Sequence, residues 1–166
     1  DTPHLTEEAI QRKFLAAFNE LLENRDFILE DTKELIVRLT DTSDLEEEAA
    51  HLRNKMAGIS QSVRALIDRN ARSGVDQNEY ECEYQGMTKR FAGLEKRLKD
   101  IEAERDRRKI QRSALIGFLK AVKSTKAPIA DFTPQLWNAL VEKATVNADG
   151  SMVFTFRNGI EIKQKP

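Results

Sequence analysis

The sequence predicts a mainly α-helical protein of the α+β class: a long antiparallel coiled-coil hairpin on a helical base, followed by a small C-terminal β-meander. Two heptad-spaced apolar seams flank a glycine near the middle of the chain, and this pattern predicts the hairpin. Charged residues make up 33% of the chain and aromatic residues 7%, a balance typical of long solvated helices. Alternating apolar residues and an Asn-Gly turn near the C-terminus predict the meander.

Composition and charge narrow the classes of function. The formal net charge of −1 gives no overall attraction to nucleic acid, so any such attraction has to be local. No apolar run is long enough to span a membrane. Cys82 is the only cysteine, which excludes an internal disulfide and favours the reducing cytoplasm. The start at Asp1, without a methionine or a signal peptide, suggests that the chain was cut from a longer protein.

Residues 1–43 are predicted to form base helices. Thr6 is a candidate N-cap, because Glu7 and Glu8 follow it and complement the positive end of a helix. Two apolar stripes at helical spacing come next, separated by a hinge near Asn24. The stripes are Ile10, Phe14, Phe18, Leu21 and Leu22, then Phe27, Ile28, Leu35, Ile36 and Leu39.

Residues 44–104 are predicted to form the coiled-coil arm. Ser43 and Glu46 have the spacing of a capping box at the start of its first helix. Asp76 and Glu79 have N-cap spacing at the start of its second helix. The first seam is Leu45, Ala49, Leu52, Met56, Ile59, Val63, Leu66 and Asn70, and the second is Tyr80, Tyr84, Met87, Phe91, Leu94, Leu98 and Ile101.

A tight turn at Gly74 pairs seam residues whose numbers sum to about 150. This register places Ile59 opposite Phe91, and it ends where Leu45 meets Arg105. At about 1.5 Å per residue, the arm is roughly 40 Å long.

Polar seam residues lie near this turn. Tyr80 and Tyr84 are interpreted as core residues whose hydroxyl groups reach the rim of the seam. Asn70 occupies a seam position beside the turn. It either sets the register of the hairpin or marks fraying at the tip.

Residues 105–127 are predicted to form a further base helix and a linker, with a return of apolar spacing at Ile110, Leu115, Ile116, Leu119 and Val122. The first turns of this helix carry a basic run made of Arg105, Arg107, Arg108, Lys109 and Arg112. One interpretation is a solvated helix face whose cations pair with Glu104 and Asp106. The other is a patch that contacts DNA phosphates at the foot of the arm.

Residues 128–166 are predicted to form a short helix and three strands that lean either on the base helices or on a part of the protein missing from this chain. Thr133 is a candidate N-cap, and proline follows it at the first helical position. The apolar side of the helix is predicted to be Leu136, Trp137, Leu140 and Val141. The strand residues that face the core are predicted to be Met152, Phe154, Phe156, Ile160 and Ile162.

No nucleophile, base and acid are readable as a set, so no enzymatic activity is expected of this chain. His4 and His51 are interpreted as solvated surface histidines, and Cys82 as an exposed, unreactive thiol. These three residues are too few for a four-ligand zinc site, so no cofactor is expected in this chain.

Three segments resemble large serine recombinases, and in order they extend over nearly the whole chain. The opening TPHLTEEAI (residues 2–10) is similar to the stretch that follows the last zinc-binding cysteine in that family. The turn RNARSGVDQNEY (residues 69–80) resembles the tip of the family's coiled coil. The family's closing segment resembles FTPQLW (residues 132–137) and the later Val146, Gly150, Phe156 and residues 159–162.

The resemblance implies that the chain is a C-terminal region of a site-specific DNA recombinase, the class of enzyme that integrates and excises mobile DNA. In that family a serine nucleophile in a separate catalytic domain cuts DNA, while recombinase and zinc-ribbon domains bind the attachment site. None of those catalytic or zinc-binding residues falls in this chain, so zinc is expected only in the full-length parent. The strands from Thr145 to Lys163 would be the part of the zinc-ribbon domain that returns after the arm.

In the same family the coiled coil contacts other subunits and controls which attachment sites are synapsed. The partners implied are other copies of the recombinase, attachment-site DNA through the parent protein and an accessory directionality protein, with no membrane. The resemblance places the contact between subunits at the tip of the arm, on Arg72, Ser73, Gly74, Val75 and Asp76.

Two other classes of function remain open. A free-standing structural coiled coil, such as a scaffold or a chaperone-like module, would bind unrelated proteins. A nucleic-acid binder would act through the basic run, although the near-neutral net charge disfavours this as a complete account. Paired cysteines and a recombinase domain encoded just upstream would discriminate in favour of the recombinase.

Overall fold

A computed structural model describes residues 5–166 of the chain. His4 and the first letters of the TPHLTEEAI motif lie outside the described residues. The elements in the described part are α1 (Glu7–Leu22), α2 (Arg25–Thr40), α3 (Ser43–Ser73), α4 (Gln77–Ser124), α5 (Pro134–Leu140), β1 (Val141–Val146), β2 (Met152–Phe156) and β3 (Glu161–Gln164). The predicted class, mainly helical with a small antiparallel sheet near the C-terminus, is confirmed.

The described residues divide into two compact units. One consists of residues 5–40 and Lys109–Pro166, and is called the mixed unit below. The other is Asp41–Arg108, and is called the helical hairpin. Helix α4 contributes residues to both units.

The mixed unit has a core of aromatic side chains from its helices and its sheet. The ring of Phe14 on α1 lies 5.1 Å from that of Trp137 and 6.2 Å from that of Phe154, centroid to centroid. Complete burial of one such side chain stabilises a fold by roughly 2–3 kcal/mol. The fully buried aromatic residues are Phe14, Phe18, Phe118, Phe154 and Phe156. The prediction that the strands pack on the N-terminal helix is therefore confirmed.

Helix α1 begins and ends as the sequence predicts. The Thr6 hydroxyl accepts a hydrogen bond from the Ala9 amide at 3.2 Å, so Thr6 is the N-cap. Helix α1 ends at Leu22 and α2 begins at Arg25, which places a break at the predicted hinge near Asn24.

The predicted apolar face of α2 is wrong at two positions. Phe27 is 68% exposed and Leu39 is 40% exposed. The buried side of α2 repeats every four residues and includes two threonines, so it is narrower than the predicted stripe. The Thr32 hydroxyl is buried and accepts a hydrogen bond from the Asn158 side chain at 3.4 Å. The buried residues of α2 are Ile28, Thr32, Ile36 and Thr40.

The C-terminal part of α4 differs from prediction in the same way. Leu115 and Val122 are buried as expected, but Ile110 is 72% exposed. Ile110 precedes Leu115 by five residues, which is about 140° around an α-helix, so the two side chains face different directions. Phe118, which completes the buried side, was not identified from the sequence.

The sheet has the order β1-β2-β3, with both pairs antiparallel. Val146 pairs with Met152, and Phe154 pairs with Ile162. Alternate residues of β2 are buried, as predicted from their period of two. Val141 was expected on the short helix but is the first residue of β1, because α5 ends at Leu140 and the chain becomes extended there.

The start of the helical hairpin is capped differently from prediction. Ser43 is the first residue of α3 rather than a capping residue, so the predicted capping box is wrong. The Asp41 carboxylate instead accepts hydrogen bonds from the amide and the hydroxyl of Ser43, at 2.9 and 2.5 Å. These two bonds hold the pKa of Asp41 below its usual value. The Thr42 hydroxyl donates to the Glu46 carboxylate at 3.1 Å.

Candidate functional site

The apolar seam of the helical hairpin lies in the predicted register. Ala49, Leu52 and Ile101 form a buried cluster, and Leu94 and Leu98 pack against it. In the predicted register Ala49 lies opposite Ile101, and Leu52 lies opposite Leu98. The cluster brings these residues together, as that register requires.

Ion pairs join the two helices beside the seam and fit the same antiparallel register. The Arg97 guanidinium holds the pKa of Glu48 below its usual value through their hydrogen bond. Each pair is solvent-exposed and contributes little to stability, so these pairs specify the register more than they stabilise the hairpin. The pairs are Arg97 Nε to Glu48 Oε1 at 2.7 Å, Arg53 Nη2 to Glu102 Oε1 at 3.4 Å, and Arg69 Nη2 to Glu83 Oε2 at 2.9 Å.

The tip is a closed turn built on a left-handed glycine. Gly74 has φ +59°, and its amide donates to the carbonyl oxygen of Asn70 at 3.2 Å. The Asp76 carboxylate accepts hydrogen bonds from the amides of Asn78 and Glu79, at 2.9 and 3.0 Å. The predicted helix break at Gly74 and the predicted cap at Asp76 are therefore both confirmed.

The Asn70 side chain participates in closing the turn. The Gln77 amide group donates to Asn70 Oδ1 at 3.3 Å and to the Val75 carbonyl oxygen at 3.1 Å. Among the predicted tip residues, Val75 is half-buried and the others, Arg72, Ser73, Gly74 and Asp76, are exposed. The tip thus presents a small polar surface around one partly covered valine.

The two tyrosines after the turn lie nearer the surface than predicted. Tyr80 is half-buried, but Tyr84 is 38% exposed. Their rings stack with centroids 6.1 Å apart. A two-helix seam covers a large side chain from one side only, and this is why Tyr84 keeps an exposed edge.

The basic run is largely occupied by contacts within the chain. In the helical hairpin, Arg107 and Arg108 both donate to the Glu104 carboxylate at 2.8 Å. Hydrogen bonds from Arg107 and then Arg108 lower the pKa of Glu104 from 4.5 to about 2. Arg105 forms an ion pair with Glu46 at 3.3 Å. Arg108 also donates to the Asp41 carbonyl oxygen.

The last two residues of the basic run belong to the mixed unit. Arg112 Nη1 donates to the Thr40 hydroxyl at 3.2 Å. Lys109 is exposed and also has an interaction within the chain. Glu104 is thus a partner of the run, as the first interpretation expected, and contact with DNA phosphates stays a prediction.

His51 and Cys82 are both exposed in the described structure. Among residues 5–166, no group of three or more His, Cys, Asp or Glu side chains is arranged to hold a metal ion. None of the described helices is both long enough and apolar enough to cross a membrane.

The middle of the hairpin carries a basic band that the sequence analysis did not identify. This mid-hairpin band, residues 54–67 and 84–94, contains four cations and no acidic residue. All four cations are exposed, and no residue in the described part of the chain forms an ion pair with them. The cations are Lys55, Arg64, Lys89 and Arg90.

An open groove runs along one side of this band. Its floor contains Ile59 and Leu94, which are half-buried seam residues, and Lys55 and Arg90 lie at its sides. Gly58 contributes no side chain and leaves this part of the seam uncovered. The groove holds about 630 Å³, which is space for several side chains.

The charges of the hairpin were not visible as a band because they are far apart along the chain. Folding places 54–67 beside 84–94, and only then do the four cations lie in one layer. The band could have been found from the sequence by placing each charged residue along the predicted hairpin, so that charges on the two helices at the same height are summed together.

Comparison with protein-family models, with curated protein sequences and with solved structures gives no significant match. The comparisons therefore assign no family to the chain.

Proposed function

We propose that the helical hairpin is the coiled-coil arm of a large serine site-specific recombinase and binds other copies of that recombinase. Through this contact it would control which attachment sites are synapsed, and hence the direction of DNA integration and excision. Strand cleavage would belong to a catalytic domain of the parent protein. Attachment-site binding would belong to its recombinase and zinc-ribbon domains, with zinc held there.

The closed tip is the observation that carries this proposal. The segment that resembles the family's coiled-coil tip coincides with a turn closed by Gly74 and capped by Asp76. Such a turn connects two paired helices through hydrogen-bonded backbone groups, so it holds the tip residues in a fixed arrangement. An arm that works by contact at its end needs this rigidity, because ordering a flexible loop would weaken an already small interface.

The basic run supports at most a secondary role in binding DNA. Three of its arginines already bind carboxylates of the same chain, so DNA phosphate would have to compete with Glu104 and Glu46. Of these three arginines Arg107 is the most exposed, with 73% of its side chain accessible. Any contact with DNA through this run would therefore add to binding by the parent protein and would not replace it.

The test uses a full-length recombinase that carries this chain. One matched heptad is deleted from each helix, Ser60–Leu66 and Tyr84–Arg90, which keeps the apolar seam in phase. The hairpin should shorten by about 10 Å, at about 1.5 Å per residue. We expect near-normal gel-shift binding to a single attachment site and a much lower yield of the paired-site complex.

The variant Gly86→Ala is the matched control, because it lies in the deleted segment and leaves the length of the hairpin unchanged. Equal loss of single-site binding and pairing would show that the hairpin supports the DNA-binding fold itself. Unchanged pairing would refute a role in synapsis. A free-standing scaffold, the second candidate, would predict no recombinase domain in the parent at all.

A further inference from the structure

The charges of the hairpin are arranged in bands of opposite sign. The tip band, residues 68–83, has five acidic and two basic residues, a net charge of −3. The mid-hairpin band has four basic residues and no acidic one, a net charge of +4. The two bands are adjacent on the same hairpin.

Part of the seam is also uncovered in the mid-hairpin band. Among residues 5–166 no ion pair closes its sides, whereas Glu48–Arg97 and Arg69–Glu83 flank the seam on either side of it. Within the band Ile59 and Leu94 are only half-buried, and they form the floor of the groove described above. Cationic sides and an apolar floor fit a segment that carries both acidic and apolar side chains.

The tip band is such a segment. Its Glu79 and Glu81 are exposed, and its apolar side chains Val75 and Tyr80 are half-buried. The same chain therefore contains the groove and a segment with complementary charge and apolar character.

We infer that two copies of the hairpin associate antiparallel and offset, so that the acidic tip of each lies in the mid-hairpin groove of the other. Two equivalent contacts then form together, as a twofold axis requires. This inference rests on the proposed function, since it specifies the contact between copies that the proposal requires.

The offset follows from the signs of the bands. Symmetric tip-to-tip contact would place two bands of net −3 together, and middle-to-middle contact would place two bands of net +4 together. Only the offset arrangement places opposite charges opposite each other. Along each helix the centres of the two bands are about 10 residues apart, so the offset is about 15 Å.

The association should be weak and sensitive to salt. Each contact involves the end of one hairpin, which covers much less than the roughly 800 Å² per partner of a standard interface. The charges are exposed, and the Debye length falls from about 10 Å at 0.1 M salt to about 3 Å at 1 M. We expect monomers at low micromolar concentration and self-association at higher concentration and low salt.

Site-directed crosslinking of the whole chain tests the register. The first copy keeps its natural Cys82, which is exposed in the tip band. The second copy carries Cys82→Ser and one new cysteine: Ser62→Cys in the groove, Arg72→Cys at the tip, or Glu47→Cys far from both. Mixed copies are treated with a short bismaleimide, and heterodimer yield is measured at low and high salt.

We expect Cys82 to crosslink to the Ser62→Cys copy at least about fivefold more than to the Glu47→Cys copy, with loss of the excess at high salt. Equal or higher yield with Arg72→Cys would overturn the offset while leaving a contact between copies in place. Absence of any concentration-dependent association by sedimentation would overturn the inference, and the paired-site assay would then judge the proposed function separately.

A charge exchange provides the second test. Lys55→Glu with Arg90→Glu in the second copy should lower the crosslink to Ser62→Cys well below that of the unaltered groove, because one of the two equivalent contacts is lost. Glu79→Lys with Glu81→Lys in the first copy should restore it. Circular dichroism of each variant confirms that the helices persist. Failure of the second pair to restore the crosslink would refute charge pairing between tip and groove.

Discussion

Two glycines in the helical hairpin should each be replaceable by alanine with a gain in stability. Gly58 lies inside α3 and Gly86 inside α4, and a Cβ built on either meets no heavy atom within 4 Å. Alanine in a helix interior is more stable than glycine by about 0.5–1 kcal/mol. The two sites are on different helices, so we expect the double variant to gain about 1–2 kcal/mol in free energy of unfolding.

The same substitution at Gly74 should have the opposite sign. Its Cβ would also meet open space, but its φ of +59° is unfavourable for any residue with a side chain. The left-handed conformation costs alanine about 1–2 kcal/mol, which exceeds the gain from a less flexible unfolded chain. We expect Gly74→Ala to destabilise the hairpin by about 1 kcal/mol.

Urea unfolding followed by circular dichroism measures these changes, and hydrogen exchange of residues 54–67 assigns them to the hairpin. All three glycine-to-alanine changes add one methyl group to an open position. Comparing them therefore separates the effect of backbone conformation from the effect of the added methyl group. Stabilisation by Gly74→Ala would show that the turn is not left-handed. Destabilisation by the double variant would show that α3 and α4 are not continuous helices at these residues.

Three further predictions concern the core, the register and pH. Ile101→Ala should destabilise the hairpin by about 2–3 kcal/mol, because Ile101 is fully buried. Met87→Ala should lower the free energy of unfolding by less, because Met87 is half-buried. Urea unfolding measures both changes. Cysteines at Ile59 and Phe91, in a Cys82→Ser background, should crosslink within one chain. Moving the second cysteine from Phe91 to Gly93 should reduce the yield sharply. Equal yields would refute the register. The lowered pKa of Glu104 adds stability that is complete above pH 4.5 and is lost as pH falls towards about 2. Glu104→Gln should therefore flatten the dependence of the urea midpoint on pH in that window, and an unchanged slope would refute the Arg107 and Arg108 pairing.

The sequence by itself determined the hairpin and its register. The heptad steps of each seam are local, and one tight turn leaves a single alignment in which apolar residues meet along the arm. Gly74 and Asp76 then fix where one helix ends and the next begins, because Gly74 acts through its own backbone and the Asp76 carboxylate accepts from amides two and three residues further on. These features depend on residues within a few turns of one another, so they could be predicted without knowledge of the rest of the fold.

Only the tertiary structure decided which side of the other helices is buried. Phe27 and Ile110 are as apolar as their neighbours, yet both are exposed, because the buried side is chosen by what packs against the helix. Thr32 is buried because Asn158, distant in sequence, provides a hydrogen bond for its hydroxyl. Helical periodicity restricts the possible faces, and contacts between distant segments select one of them.

The same distinction applies to charge. The basic run and its local partner Glu104 were readable from the sequence, but the pairing of Arg105 with the distant Glu46 depends on the fold. The mid-hairpin band depends on folding still more, because Lys55 and Arg90 line one groove only when α3 and α4 pair. Electrostatic interaction depends on distance in space. The sequence therefore determines the net charge, and the fold determines which charges act together.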